Sequence, residues 1–184
     1  LSGLQKSCQF NILQDHVGLI SVAHQAVLRL SSFSNMVDMK TTHTSLPFAG
    51  HTLHFVEFDP ASFREQDLLW LPHYAQLQHA GRKRKTEHLA GRIAAIYALR
   101  EYGYKCVPAI GELRQPVWPA GVYGSISHCG TTALAVVSRQ PIGIDIEEIF
   151  SAQTARELTD NIITPAEHKR LADCGLAFRQ RERI

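Results

Sequence analysis

Asp145 and Glu147 stand two residues apart in the stretch PIGIDIEEI, residues 141–149, where Ile142, Ile144 and Ile146 alternate with Gly143 and the two acids. That alternation predicts a β-strand with one apolar face, and it sets both carboxylates side by side on the other. Strands are poor in Asp, and like charges at this spacing repel. Two oxygen-only side chains on one strand face are a mount for a hard divalent cation. Mg2+ suits it, because that ion takes one or two protein carboxylates and fills its shell with waters and substrate phosphates. The competing reading is a solvated strand face whose acids keep an edge from aggregating, and on these residues alone it is the commoner case.

A second group is cationic. GRKRK, residues 81–85, leads into a helical pattern that also holds Arg92. A helix N-terminal half already presents positive charge, so the run costs stability unless anions meet it. Phosphate oxygens would meet it through Arg forks and Lys point charges, whereas a solvated basic loop explains the run equally well. The third group is GSISHCG, residues 124–130. Small residues there let a backbone approach a ligand, and Ser127 and His128 can donate to a phosphate; a hydrogen-bonded histidine at a strand end is the equal alternative. The stretch is not the G-x-S-x-G elbow of a serine hydrolase. His128 and Cys129 are neighbours on a strand, face opposite ways, and make no thiol–imidazole pair.

Elements must position these groups. HTLHFVEF, residues 51–58, alternates as a strand, and DLLWLPHYAQL gives a short apolar helix or turn around Pro72. TEHLAGRIAAIYALREYGY is the clearest helix, with Leu89, Ile93, Ile96, Tyr97 and Leu99 near one face and Gly103 placed to stop it. Three short strands, YGSISH, ALAVVS and PIGIDIE, suggest an antiparallel meander. Thr164, Pro165 and Glu167 form a helix start, with Thr as N-cap, running to about residue 173. The fold class is α+β.

The bulk numbers set limits. The chain has 184 residues, 45% hydrophobic, and a formal net charge of +2. That length suits one domain, or a domain of two small lobes, and the charge is too small for a nucleic-acid binder as a whole. A basic binder built on GRKRK would also want a wider cationic surface and stacking aromatics. Cys8, Cys106, Cys129 and Cys174 form no C-x-x-C pair, which argues against a disulfide framework or a zinc site and suits a reducing cytoplasm. Residues 16–28 are the longest uncharged stretch near the N-terminus, short of the ~18 apolar residues of a spanning helix. No transmembrane segment or secretory signal is expected, and any membrane association would be peripheral, through partners.

EHLAGR (87–92), GSISHCG and PIGIDIEEI, in that order, resemble the 4′-phosphopantetheinyl transferases of the larger, two-lobed kind. The resemblance runs from residue 36 to residue 178. It implies a two-lobed, pseudo-symmetric α+β fold and transfer of phosphopantetheine from coenzyme A to a serine of apo aryl or peptidyl carrier proteins in siderophore biosynthesis. It implies that Asp145 and Glu147 hold Mg2+ on the coenzyme A pyrophosphate. Ser127 and His128 would lie near the 3′-phosphate end of the nucleotide, and Lys83, Arg84, Arg92 and Arg114 would contact the coenzyme's phosphates. The domains implied are an extension at 1–35, a first lobe at 36–140, the start of a second lobe with the acidic strand at 141–178, and a non-matching tail at 179–184. The family pattern continues past Phe178 into a helix with a Lys-Glu pair, whose Glu completes the metal site and serves as base; here FRQRERI stands instead. The resemblance thus implies a shortened second lobe, no assignable base, and impaired or lost activity. The alternative is a non-catalytic fragment that binds coenzyme A or a carrier.

Overall fold

In the computed structural model the described residues are 8–12, 16–18 and 37–148, together with 151, 153, 154, 157, 164, 166, 167, 169 and 170. The chain divides into two units, Leu1–Glu148 and Ile149–Ile184. The strands of the first unit are β1 (Cys8–Ile12), β2 (His16–Gly18), β3 (Thr41–Phe48), β4 (His51–Phe58), β5 (Ala109–Ile110), β6 (Pro116–Val117), β7 (Tyr123–Cys129), β8 (Thr132–Ser138) and β9 (Ile144–Glu148). Its helix, α1, spans Arg82–Glu101. Two short 3-10 turns, Glu65–Leu68 and Tyr74–Leu77, flank Pro72. The class is α+β, as expected.

The main sheet has the order β3-β4-β8-β7 and is antiparallel throughout. Two-residue turns close both of its hairpins, Phe48 pairing with His51 and Cys129 with Thr132. Ala49 and Gly50 both have positive φ, +48° and +78°, the signature of a type I′ turn. An alanine in that region is strained where asparagine is at ease. Ala49→Asn is therefore expected to stabilise the protein by about 0.5–1 kcal/mol, read as a melting temperature higher by about 1–4 °C.

Residue parity sorts the side chains of the sheet onto two faces. Val56, Phe58, Ala133, Ala135 and Val137 pack with Leu89, Ile93 and Tyr97 in the core that includes α1. Leu53, Phe55, Leu134 and Val136 form a second core with Ile144 and Ile146 of β9. ALAVVS reads as a continuous apolar run because β8 is covered on both faces. The acidic strand is therefore not a third strand of the meander. β8 already has β4 on one edge and β7 on the other, so β9 packs beneath the sheet and pairs instead with β1, Asn11 opposite Asp145 and Gln9 opposite Glu147.

The helix also differs from expectation. It begins at Arg82, so the four cations form its first turn rather than precede it, and residues Lys85 to Leu99 are buried around almost the whole circumference. Gly103, φ +81°, follows its end as expected. Where α1 crosses β7, a Cβ on Gly91 would meet Ile126 Cγ2 at 2.8 Å, so only glycine lets the helix sit so close. In the second unit, Thr164 N–H and Oγ1–H donate to Glu167 Oε2 at 2.9 and 2.7 Å, and Glu167 N–H donates back to Thr164 Oγ1 at 3.4 Å. This is the capping box read from the sequence, and the Thr164 bonds hold the Glu167 carboxyl below its usual pKa. The far end of that helix lies outside the described residues.

Candidate functional site

β7 is an edge strand of the main sheet, and its alternating side chains serve two different neighbours. Ile126 reaches α1, and so does His128, whose Nδ1 is 3.8 Å from Glu87 Oε1. Ser125, Ser127 and Cys129 face the other way, onto β9. Ser127 Oγ–H donates to Asp145 Oδ1 at 2.6 Å and accepts the Ile146 N–H at 3.3 Å. Ser125 Oγ–H donates to the Ile144 carbonyl at 3.4 Å, and Cys129 Sγ lies 3.9 Å from Glu147 Oε2. Ser127 and His128, read as one pair in the sequence, thus work on opposite faces of the strand.

On β9 the apolar residues are buried and Asp145, Glu147 and Glu148 are exposed, the parity the alternation predicts. Among the described residues no three His, Cys, Asp or Glu side chains converge as a metal cage. An acid pair with a hydroxyl beside it is a partial shell of hard oxygens, which fits Mg2+ completed by substrate phosphates and does not fit a structural zinc ion.

The cations of the first helical turn have separate roles. Arg82 donates to the carbonyls of Pro60, Ala61 and Phe63 at 2.9, 3.2 and 2.9 Å. Lys85 is buried and its Nζ meets Glu65 Oε2 at 2.9 Å. Both hold the fold. Lys83 is 88% exposed, with Nζ 3.8 Å from Glu87 Oε1. Arg84 and Arg114 line a cavity of about 340 Å3 together with His79 and His88. Arg114 has φ +64°, left-handed backbone that an arginine adopts only when its surroundings impose it. Its turn is held by Arg114 N–H to the Gly111 carbonyl at 2.9 Å.

Arg92 does not reach this surface. It is buried, with Nη2 3.4 Å from the Ala109 carbonyl and Nε without a partner. Burial, and then the charge of Arg84, pull its pKa down to about 10. His88 sits between Arg84 and Arg92 on the helix, and its Nε2 is 2.9 Å from His73 Nε2. Burial, then Arg92, His73, Arg84 and His128, lower its pKa to about 3. Glu87 faces Lys83 and His128, with Oε1 3.8 Å from each. Glu87, His88 and His73 have no individual role in the sequence reading, although EHLAGR contains the first two. Arg84, His88 and Arg92 recur at every fourth residue, a helical stripe that a periodicity count would have raised. Gly124, read as room for a ligand, instead makes room for the Trp118 ring, 2.7 Å from a Cβ placed there.

The family profile described as "4'-phosphopantetheinyl transferase N-terminal domain" matches residues 73–138. The chain belongs to the 4′-phosphopantetheinyl transferase family. Enterobactin synthase component D of Escherichia coli (strain K12) is 96% identical over 140 residues, covering 76% of this chain and 68% of that protein. Enterobactin synthase component D of Salmonella typhimurium (strain LT2) is 63% identical over 140 residues, 76% of this chain and 60% of that protein. The 4'-phosphopantetheinyl transferase Npt of Nocardia iowensis is 36% identical over 92 residues, 47% of this chain and 40% of that protein. Coenzyme A is the substrate of this family. Among the described residues no helix is long and apolar enough to cross a membrane.

Proposed function

We propose that this protein transfers 4′-phosphopantetheine from coenzyme A to a serine of apo aryl or peptidyl carrier proteins of enterobactin synthesis, with Mg2+ on Asp145 and Glu147. The observation that carries the reading is the position of β7. Among the described residues its outer edge has no ladder partner; α1, whose Glu87 reaches His128 of this strand and whose Arg84 lines a cavity with Arg114, lies on one side and the acids of β9 on the other. A nucleotide diphosphate lying across that edge meets cations with its outer phosphate and, through a divalent ion, carboxylates with its pyrophosphate. Arg84 and Arg114 bind and orient the first; Lys83, which is exposed, adds field, and Arg92 stands behind them and raises the local potential.

In the reaction the carrier serine oxygen bonds to the phosphorus that bears pantetheine. The phosphoanhydride bond breaks, 3′,5′-ADP leaves with the electron pair, and the serine proton passes to a base. Mg2+ held by Asp145 and Glu147 would supply neutralisation of the charge that builds on the 5′-phosphate oxygens of the leaving 3′,5′-ADP. The residues of the β7 edge, β9 and α1 position and neutralise; none of them is assigned as the base.

Incubation with coenzyme A, Mg2+ and an apo aryl carrier protein, read by mass spectrometry, is expected to give a carrier heavier by one phosphopantetheine only slowly, in keeping with impaired activity. The rate relative to the Escherichia coli relative decides the expectation of impaired turnover. Saturable coenzyme A binding with no increment would support the non-catalytic alternative, and neither binding nor increment would end both readings.

A further inference from the structure

We infer that Ser127 is a positioning residue for Asp145, acting on the metal-holding carboxylate rather than on the coenzyme's phosphates. This rests on the functional reading above and adds a residue role to it. β9 and β7 lie side by side with no backbone ladder between them; the pairing partner of β9 is β1, and that of β7 is β8. Side chains do the joining. Ser125 meets Ile144, Ser127 meets Asp145 and Ile146, and Cys129 meets Glu147, so contacts advance in step along both strands.

Ser127 is the central and shortest of these links. A hydroxyl has one proton and two lone pairs. Ser127 places its proton on Asp145 Oδ1, and the Ile146 N–H uses a lone pair. One side chain therefore fixes both the carboxylate and the backbone beside it. Asp145 is exposed on its strand, and an exposed aspartate without such a restraint rotates freely about χ1 and χ2. With Oδ1 engaged, Oδ2 is held in a fixed direction for a cation. The metal then meets an oriented ligand and loses less entropy on binding. The direction of the hydroxyl explains why Ser127 is on the acidic face at all: one residue earlier or later, it would face α1.

Isothermal titration of the full chain with coenzyme A, with Mg2+ and again with EDTA, tests this. Ser127→Ala is expected to weaken the Mg2+-dependent component about tenfold and leave the metal-free affinity within about twofold. Ser127→Thr, which keeps the hydroxyl, restores the metal-dependent component. Amide exchange gives a second readout: the Ile146 N–H is expected to exchange faster in Ser127→Ala and near the native rate in Ser127→Thr. Equal loss with and without metal would place Ser127 on the phosphate and overturn the inference, as would an alanine variant with native metal dependence. Asp145→Ala is titrated in parallel. If it abolishes the metal-dependent component while Ser127→Ala does not, only the role of Ser127 falls; if it changes nothing, the reading of the acidic strand falls with it.

Discussion

Asp145→Ala is expected to weaken Mg2+-dependent uptake of coenzyme A about 100-fold while the fold survives. Groups that only orient a metal ligand are worth ~10–100-fold in affinity, so a ligand itself stands at or above the top of that range. At ~1.4 kcal/mol per decade the loss is about 2.8 kcal/mol. The fold survives because the carboxylate is exposed while Ile144 and Ile146 supply the burial on β9. Removing one of two like charges also relieves repulsion on that face, so thermal stability is expected to hold or rise slightly. The result separates a metal mount from a solvated edge. A solvated edge would give the same stability and no change in metal dependence. Titration calorimetry with and without EDTA measures the first quantity and differential scanning fluorimetry the second. Duplex DNA titrated against the same variant tests the basic-patch alternative, which predicts binding unaffected or slightly improved by losing an acid.

Local pattern made some of this readable and topology concealed the rest. The strand at β4, the stop at Gly103 and the capping box at Thr164 and Glu167 follow from residue types within a few positions of one another, and each was visible. So was the parity of Asp145 and Glu147, which requires only alternation. The place of β9 was not. Whether a strand continues a sheet or passes beneath it depends on which edges are already taken, and β8 is occupied by β4, about 80 residues upstream in the chain. The partner strand β1 is more distant still, and residues 1–35 have too weak a periodicity to announce it. GRKRK hid its division of labour for a different reason. Four adjacent cations on a helix point in four directions, about 100° apart, and only the neighbours say which are spent. Pro60, Phe63 and Glu65 take Arg82 and Lys85; the Arg114 turn and His88 meet Arg84 at the cavity.

Acidification from pH 6.5 to pH 4 is expected to remove several kcal/mol of stability, through four histidines that the proposed chemistry does not use as acids or bases. They form two pairs. His43 Nε2 is 3.0 Å from His54 Nδ1, and the His43 ring stacks on Tyr97 at 3.6 Å. His54 Nε2 lies 3.1 Å from Glu101 Oε1, close but poorly aligned for the ring N–H. The second pair is His73 and His88, faced by Arg84, Arg92 and His128. Burial is the leading cause in all four, lowering His43, His54 and His73 to about 4 and His88 to about 3. In the unfolded chain each returns to ~6.5. Between those values the unfolded state binds more protons than the native one, so stability falls as pH falls and the full contribution is present only above about 6.5. Each tenfold loss of proton affinity on folding is worth ~1.4 kcal/mol at most. His43 is only half-buried, so screening reduces its share, and about 1–2 kcal/mol for each histidine is the reasonable scale. The sum is a large part of the ~5–15 kcal/mol that holds a domain together. Carboxylates titrate mainly below about pH 4.5, so loss already marked at about pH 5 belongs to the histidines. Melting temperature against pH checks the slope, and His73→Gln with His88→Gln is expected to flatten it. Ring-proton titration by NMR supplies the decisive observation, because any of these four histidines protonating near its unfolded-chain value in the folded protein would remove its share.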